Sequence, residues 1–172
     1  KIYRDLMRAF VGTMIRKQFS QGDWFADRVL PNVTAQQMDN LQRDLSRARE
    51  EGRVGRGKGG PEQVLDITHF SRVVSANWHE VFTKFFRERK FLNYMREIGD
   101  ARNEWAHPPD GDSDADNVNR ILDTCALVLA VFDKPGAAQL KELREDKAEI
   151  TAEATPEPEA PIIPATVKAD EV

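Results

Sequence analysis

One cysteine is all this chain has, and Cys125 falls at an apolar helical position. A single thiol makes neither an intrachain disulfide nor a cysteine zinc site, so burial must hold the fold together. Histidine is almost as scarce, at three residues. Neither His69 nor His79 has a second His or a carboxylate at a convincing metal spacing, so structural roles are expected for both. No metal and no cofactor is expected. No stretch approaches the ~18 apolar residues in a row that a membrane span needs. A signal-peptide pattern is also missing, and the cytoplasm is the expected compartment. Excess charge of one sign is missing too. The net charge is −4, but residues 151–172 hold five acids and one base, which leaves 24 of each in residues 1–150. Bulk nucleic-acid binding by a strongly basic domain is excluded, and any such role must come from a local patch.

What is present suits one globular domain. The chain has 172 residues, of which 40% are hydrophobic and 31% charged. That length buries a sizeable core. The chain opens on Lys1 rather than Met, so a piece of a longer protein is expected.

The apolar spacing is helical throughout. Residues 2–19 carry Leu6, Met7, Phe10, Val11, Met14 and Ile15 at intervals of three and four. Asp23 should cap a short turn bearing Trp24 and Phe25. Thr34 with Gln37 forms a capping box for a helix over 34–51. Residues 67–87 read as the most apolar helix, with Asn77 as a hydrogen-bonding residue that fixes packing and Trp78 in the core. Residues 89–107 make the next helix, on which Trp105 should face inward. Residues 116–133 are highly apolar again. Pro135-Gly136 interrupts, and a short helix with Leu140 and Leu143 closes the domain. An acidic loop over 108–116 lacks the glutamate that a calcium loop needs. From Thr151 onward Pro, Ala and Glu dominate, and such a segment does not order itself.

Residues 52–61 hold five glycines together with Arg53, Arg56 and Lys58. No strand is expected before this segment and no Gly-Lys-Ser/Thr occurs in it, which excludes a phosphate-binding P-loop. Two readings stay open. One is a solvated flexible connector. The other is a mobile basic flap in which Arg53, Arg56 and Lys58 track a phosphate backbone.

The stretch Arg102-Asn103-Glu104-Trp105-Ala106-His107, followed by Pro108 and Pro109, carries the chemistry. Positions five apart on a regular helix point about 140° apart. Pro108 pushes His107 out of the α region, so that its ring can swing toward Arg102 or toward a partner. A His takes and gives a proton near neutral pH. An Arg stays charged and presents a planar fork to phosphate oxygens. The pair suits metal-free cutting of an RNA backbone. The plainer alternative is an Arg102 that pairs with a carboxylate and a His107 that serves as a C-terminal helix cation.

Arg102-Asn103-x-x-x-His107 at a helix end resembles the signature of the HEPN superfamily, all-helical domains of many RNases and toxin systems. The wider stretch Arg-Asn-Glu-Trp-Ala-His-Pro is most similar to one subclass. That subclass stands at the C-terminus of a eukaryotic nuclear mRNA-surveillance endonuclease and at the N-terminus of bacterial defence-type ATPases. Asn77-Trp78 and the opening Ile2-Tyr3-Arg4-Asp5-Leu6 extend the likeness over about residues 1–147. The resemblance implies an all-α bundle of four to five main helices over 1–147, and the composition beyond it implies a disordered linker over 148–172. It implies RNA as partner, a homodimer, and a downstream domain, an ATPase among the options. Arg102, Asn103 and His107 would be catalytic, with Asn103 orienting the pair. A non-catalytic HEPN module for dimerisation or partner recognition is the alternative.

Overall fold

The computed structural model describes residues 1–106 and 115–153, with side chains through 145. Helix α1, Ile2–Gln18, buries Tyr3, Met7, Phe10, Val11 and Ile15 along one stripe. Asp23 caps the short α2, Trp24–Arg28, by accepting from the amides of Phe25 and Ala26, both at 3.1 Å. Helix α3, Ala35–Glu50, starts from the expected box. Thr34 Oγ1 accepts from the Gln37 amide, and Gln37 Oε1 accepts from the Thr34 amide. These caps are local devices, each built from residues two or three apart, which is why the sequence shows them.

The expected helix over 67–87 is divided. Helix α4 runs Ile67–Ala76, and a single π-helical turn follows at Trp78–Phe82. Asn77 makes the division. Its side-chain amide donates to Val73 O at 2.9 Å and to Arg28 O at 3.0 Å, tying the end of α4 to the end of α2. The Thr83 amide then reaches back five residues to Trp78 O. The packing role expected of Asn77 is therefore present, and it costs the helix its continuity.

Helix α5 runs Lys90–Ala106, α6 Ala115–Leu129 and α7 Lys134–Glu153. Asp133 starts α7 by accepting from the Gly136 amide at 2.8 Å, so Pro135-Gly136 opens a helix instead of breaking one. The closing helix is longer than its apolar residues suggest, because good helix formers (Ala, Leu, Lys, Glu, Arg) fill it. It reaches past residue 147 into the stretch expected to be linker, and residues 154–172 lie outside the described residues. No strand occurs among the described residues, and the fold is all-α.

Helices α1, α4, α5 and α6 share one core. Phe10 stacks on Phe132 with centroids 3.9 Å apart, and Phe85 and Phe86 meet its edges. Trp78 lies within this core as expected. Each such ring contributes about 1.5–3 kcal/mol by burial. Cys125 is buried here as well, and burial pushes its thiol up to about 12. Trp105 departs from expectation. It is 41% exposed, while Ala101, one turn earlier, takes the buried position on α5. No described helix is long and apolar enough to cross a membrane.

Candidate functional site

Arg102 and Asn103 sit near the C-terminal end of α5, and both are exposed. They point to different places, as neighbours about 100° apart on a helix must. Arg102 reaches the start of α4, where its Nη2 lies 2.9 Å from Asp66 Oδ2. Its side chain stays 43% exposed, against 25% for Asp66. Asn103 instead lines a groove between α4 and α5, and among the described residues it has no hydrogen-bond partner. His107 follows Ala106, the last residue of α5, and lies outside the described residues. The acidic loop considered for calcium lies outside them too.

Asp66 is the N-cap of α4 and does two things. Its carboxylate holds Arg102, and its backbone amide donates to His69 Nδ1 at 2.8 Å. This is the returning arm of a capping box, with His in the place usually taken by Glu or Gln, while the His69 amide donates to the Asp66 backbone carbonyl at 2.9 Å. The bond to the ring requires Nδ1 without a proton, so His69 is neutral with its proton on Nε2. Burial lowers the pKa of His69. Asp66 opposes the shift, Arg102 and Arg8 add to it, and Asp44 opposes it again. The histidine expected to be structural is therefore buried beside the motif arginine.

Arg8 of α1 completes this face. Its Nε donates to Leu65 O, and its Nη1 stands 3.5 Å from Asp5 Oδ1. Burial lowers the pKa of Arg8, and Arg4 lowers it further. Asp5 and Asp66 oppose, and Arg53 again lowers it. Arg53 from the glycine-rich loop thus lies within electrostatic reach of Arg8.

The loop itself is folded back, not open. The amides of Arg53 and Val54 both donate to Ala48 O, Gly55 and Lys58 close a turn, and Val54 is buried. Gly52 and Gly57 hold φ of 65° and 75°, which L side chains avoid. Arg53 is paired with Glu51 at 2.6 Å. Arg56 and Lys58 are exposed and have no ion pair among the described residues.

Sequence reasoning missed Arg8 and Asp66 and gave His69 no link to the motif. The one available signal was Asp66-Ile67-Thr68-His69, an acid just before an apolar run with a hydrogen-bonding residue three later. Among the described residues no group of three or more His, Cys, Asp or Glu is placed to hold a metal ion.

No curated protein and no solved structure gives a significant match to the chain. A protein-family model, described as Swt1-like HEPN, matches residues 1–133. That span includes α1 through α6, with Arg102, Asn103 and His107 inside it, and the chain belongs to this Swt1-like HEPN family.

Proposed function

We propose that this chain is a HEPN domain that cleaves RNA as a homodimer, without a metal ion, using Arg102, Asn103 and His107. Membership of the family supports an RNase-type HEPN domain in general. The observation that carries the finer reading is the placement of Arg102. A guanidinium with a carboxylate on one side and solvent on the other is oriented yet still open to a phosphate. In the reaction, the 2′-oxygen attacks phosphorus as His107 takes its proton, and the P–O5′ bond breaks. The leaving 5′-oxygen gains a proton from the second His107 of the dimer, and a 2′,3′-cyclic phosphate remains. Arg102 offsets charge on the pentacoordinate phosphate, and Asn103 hydrogen-bonds the strand beside it. Arg53, Arg56 and Lys58 contact phosphates farther along, and Arg53 is within electrostatic reach of Arg8. The proposed setting is a larger cytoplasmic protein of the defence or RNA-surveillance kind, in which residues 1–147 form the HEPN unit.

An RNase assay in EDTA tests this reading. Wild type should cut a single-stranded RNA, and His107→Ala should not. Equal rates for the two would remove the active site.

A second reading has its own support. Residues 1–150 carry 24 acids and 24 bases, and Arg102 already has a carboxylate partner. Both features suit a HEPN module that binds a partner or a second copy without cutting. The same assay separates the two.

A further inference from the structure

Helices α4 and α5 bury apolar residues in the shared core, and the outer edge of their seam is a polar groove. On α4, Thr68, Ser71 and Ser75 recur at intervals of three and four, with Arg72 beside them. On α5, Arg96, Asp100 and Asn103 recur at four and three. Gly99 lies between them, where a Cβ would stand 3.6 Å from Thr68 Cα, so the two backbones come close. The stripes line a groove of about 580 Å³, and Gln37 at the start of α3 closes one side.

The charged groups of this groove are unspent. Among the described residues Arg72 and Asp100 have no ion pair or hydrogen bond, and Arg96 makes one long bond to Asn93 Oδ1 at 3.3 Å. By contrast Arg28, Arg102, Arg120 and Arg144 each have a carboxylate partner. Two arginines against one aspartate leave the groove locally cationic inside a domain that is neutral in bulk.

We infer that the groove is a subsite for one ribose–phosphate unit of single-stranded RNA, next to the unit that reaches Arg102. The inference rests on the RNA-binding reading above. Arg72 and Arg96 offer two planar forks to phosphate oxygens. The hydroxyls of α4 and the Asn103 amide offer donors and acceptors for ribose oxygens, and Asp100 accepts from a 2′-hydroxyl. A 2′-hydroxyl is what separates RNA from DNA at such a site. No aromatic residue lines the groove, so bases do not stack there and recognition is of the backbone, tolerant of sequence. Asn103 joins the two places, since it belongs to the motif and to the groove at once.

The test uses the whole 172-residue chain with His107→Ala, so that bound RNA survives. Anisotropy of a labelled single-stranded RNA, and of its all-deoxy counterpart, is followed across salt. The parent should bind RNA more tightly than DNA. Arg72→Gln with Arg96→Gln should weaken RNA binding about tenfold and flatten the log–log salt slope by about 1.4, which is two single-strand phosphate contacts. Both residues are exposed, so the melting curve should not move. Unchanged affinity and slope overturn the inference. So does an equal loss in Arg16→Gln with Arg87→Gln, exposed arginines outside the groove. Loss of a dimer by light scattering, with RNA affinity unchanged, also overturns it and gives the groove to a second copy. The two readings fail separately. If wild type cuts RNA and the groove variant binds and cuts as well, the subsite is wrong and the RNase stands. If wild type never cuts but the groove variant loses RNA, the subsite stands without the cleavage.

Discussion

Arg102 of α5 and Asp66 at the head of α4 form an ion pair, Nη2 to Oδ2 at 2.9 Å, at a half-exposed site. Such a pair contributes at most about 1 kcal/mol to stability. Its weight is geometric: a carboxylate at the head of α4 aims the guanidinium. The same carboxylate competes with any phosphate that comes for Arg102.

Asp66→Asn separates these effects. Asn caps a helix about as well as Asp, so the melting temperature should change little. RNA affinity should rise a few-fold, because one acid is gone and the guanidinium is released. The cleavage rate at saturating RNA should fall about tenfold, because an unaimed Arg102 loses its place in the transition state. A binding measurement paired with single-turnover cleavage checks the split. An unchanged rate would reduce the pair to a surface contact.

His69 makes stability depend on pH in a stated direction. Burial, chiefly, holds its pKa below the usual 6.5 in the folded chain. The unfolded chain therefore binds the proton more tightly, and stability rises with pH across the gap. The contribution is whole above about pH 6.5 and is lost as pH falls from there toward the folded value. His69→Gln keeps an acceptor at the third helical position, as Gln37 does for Thr34, and removes the titration. Thermal melts at pH 7.5 and 5.5 should show a fall of about a few degrees more in wild type than in the variant. Equal falls would mean that His69 does not sense acid.

The local half of the fold could be read from the chain, and the tertiary half could not. Asp23 and the Thr34–Gln37 box cap their helices from residues two or three apart. The stripe of α1 and the core place of Trp78 follow from spacing. Asn77 was legible as a hydrogen-bonding residue. That it ends α4 was not, because the second acceptor is the Arg28 carbonyl on another element. Arg102 drew attention by its neighbours in sequence, but its partner Asp66 is brought to it only by the packing of α4 on α5. The polar seam of the groove was hidden because Thr68, Ser71 and Ser75 were eclipsed by the apolar residues between them. Hydrophobicity alone pointed Trp105 inward, but Ala101, one turn earlier, takes the buried position and Trp105 stays 41% exposed.

The glycine-rich loop offers a graded test of phosphate contact. Arg56 and Lys58 are exposed and unpaired, whereas Arg53 is held by Glu51 and stands near Arg8. Replacing Arg53, Arg56 and Lys58 by Ala should flatten the salt slope of RNA binding by up to about 2, at about 0.7 per single-strand contact. Arg53→Ala alone should account for the smallest share, because Glu51 already partly neutralises it. The backbone bonds that shape the loop do not use these side chains, so the fold should be kept. A slope that does not move would leave the loop as a connector.

Trp105 is the place to look for the second copy. It is 41% exposed on the last turn of α5, among the residues of the motif, and an exposed indole there is a surface in search of cover. An isologous dimer with its axis beside the motif would bury two such rings and bring two Arg102 and two His107 to one cleft. Large aromatic residues carry a disproportionate share of interface energy. The facing cations oppose association, so the dimer should be of moderate strength and should tighten when RNA bridges them. Trp105→Ala also removes the part of the ring that the monomer covers, so the melting temperature of dilute protein should fall by about a few degrees. The variant should weaken self-association by tenfold or more, read by light scattering over a concentration series with and without RNA. Cleavage should fall in parallel and recover at high protein concentration. A wild-type chain that stays monomeric at every concentration, with RNA or without, would rule out the shared cleft and leave Trp105 to a different partner.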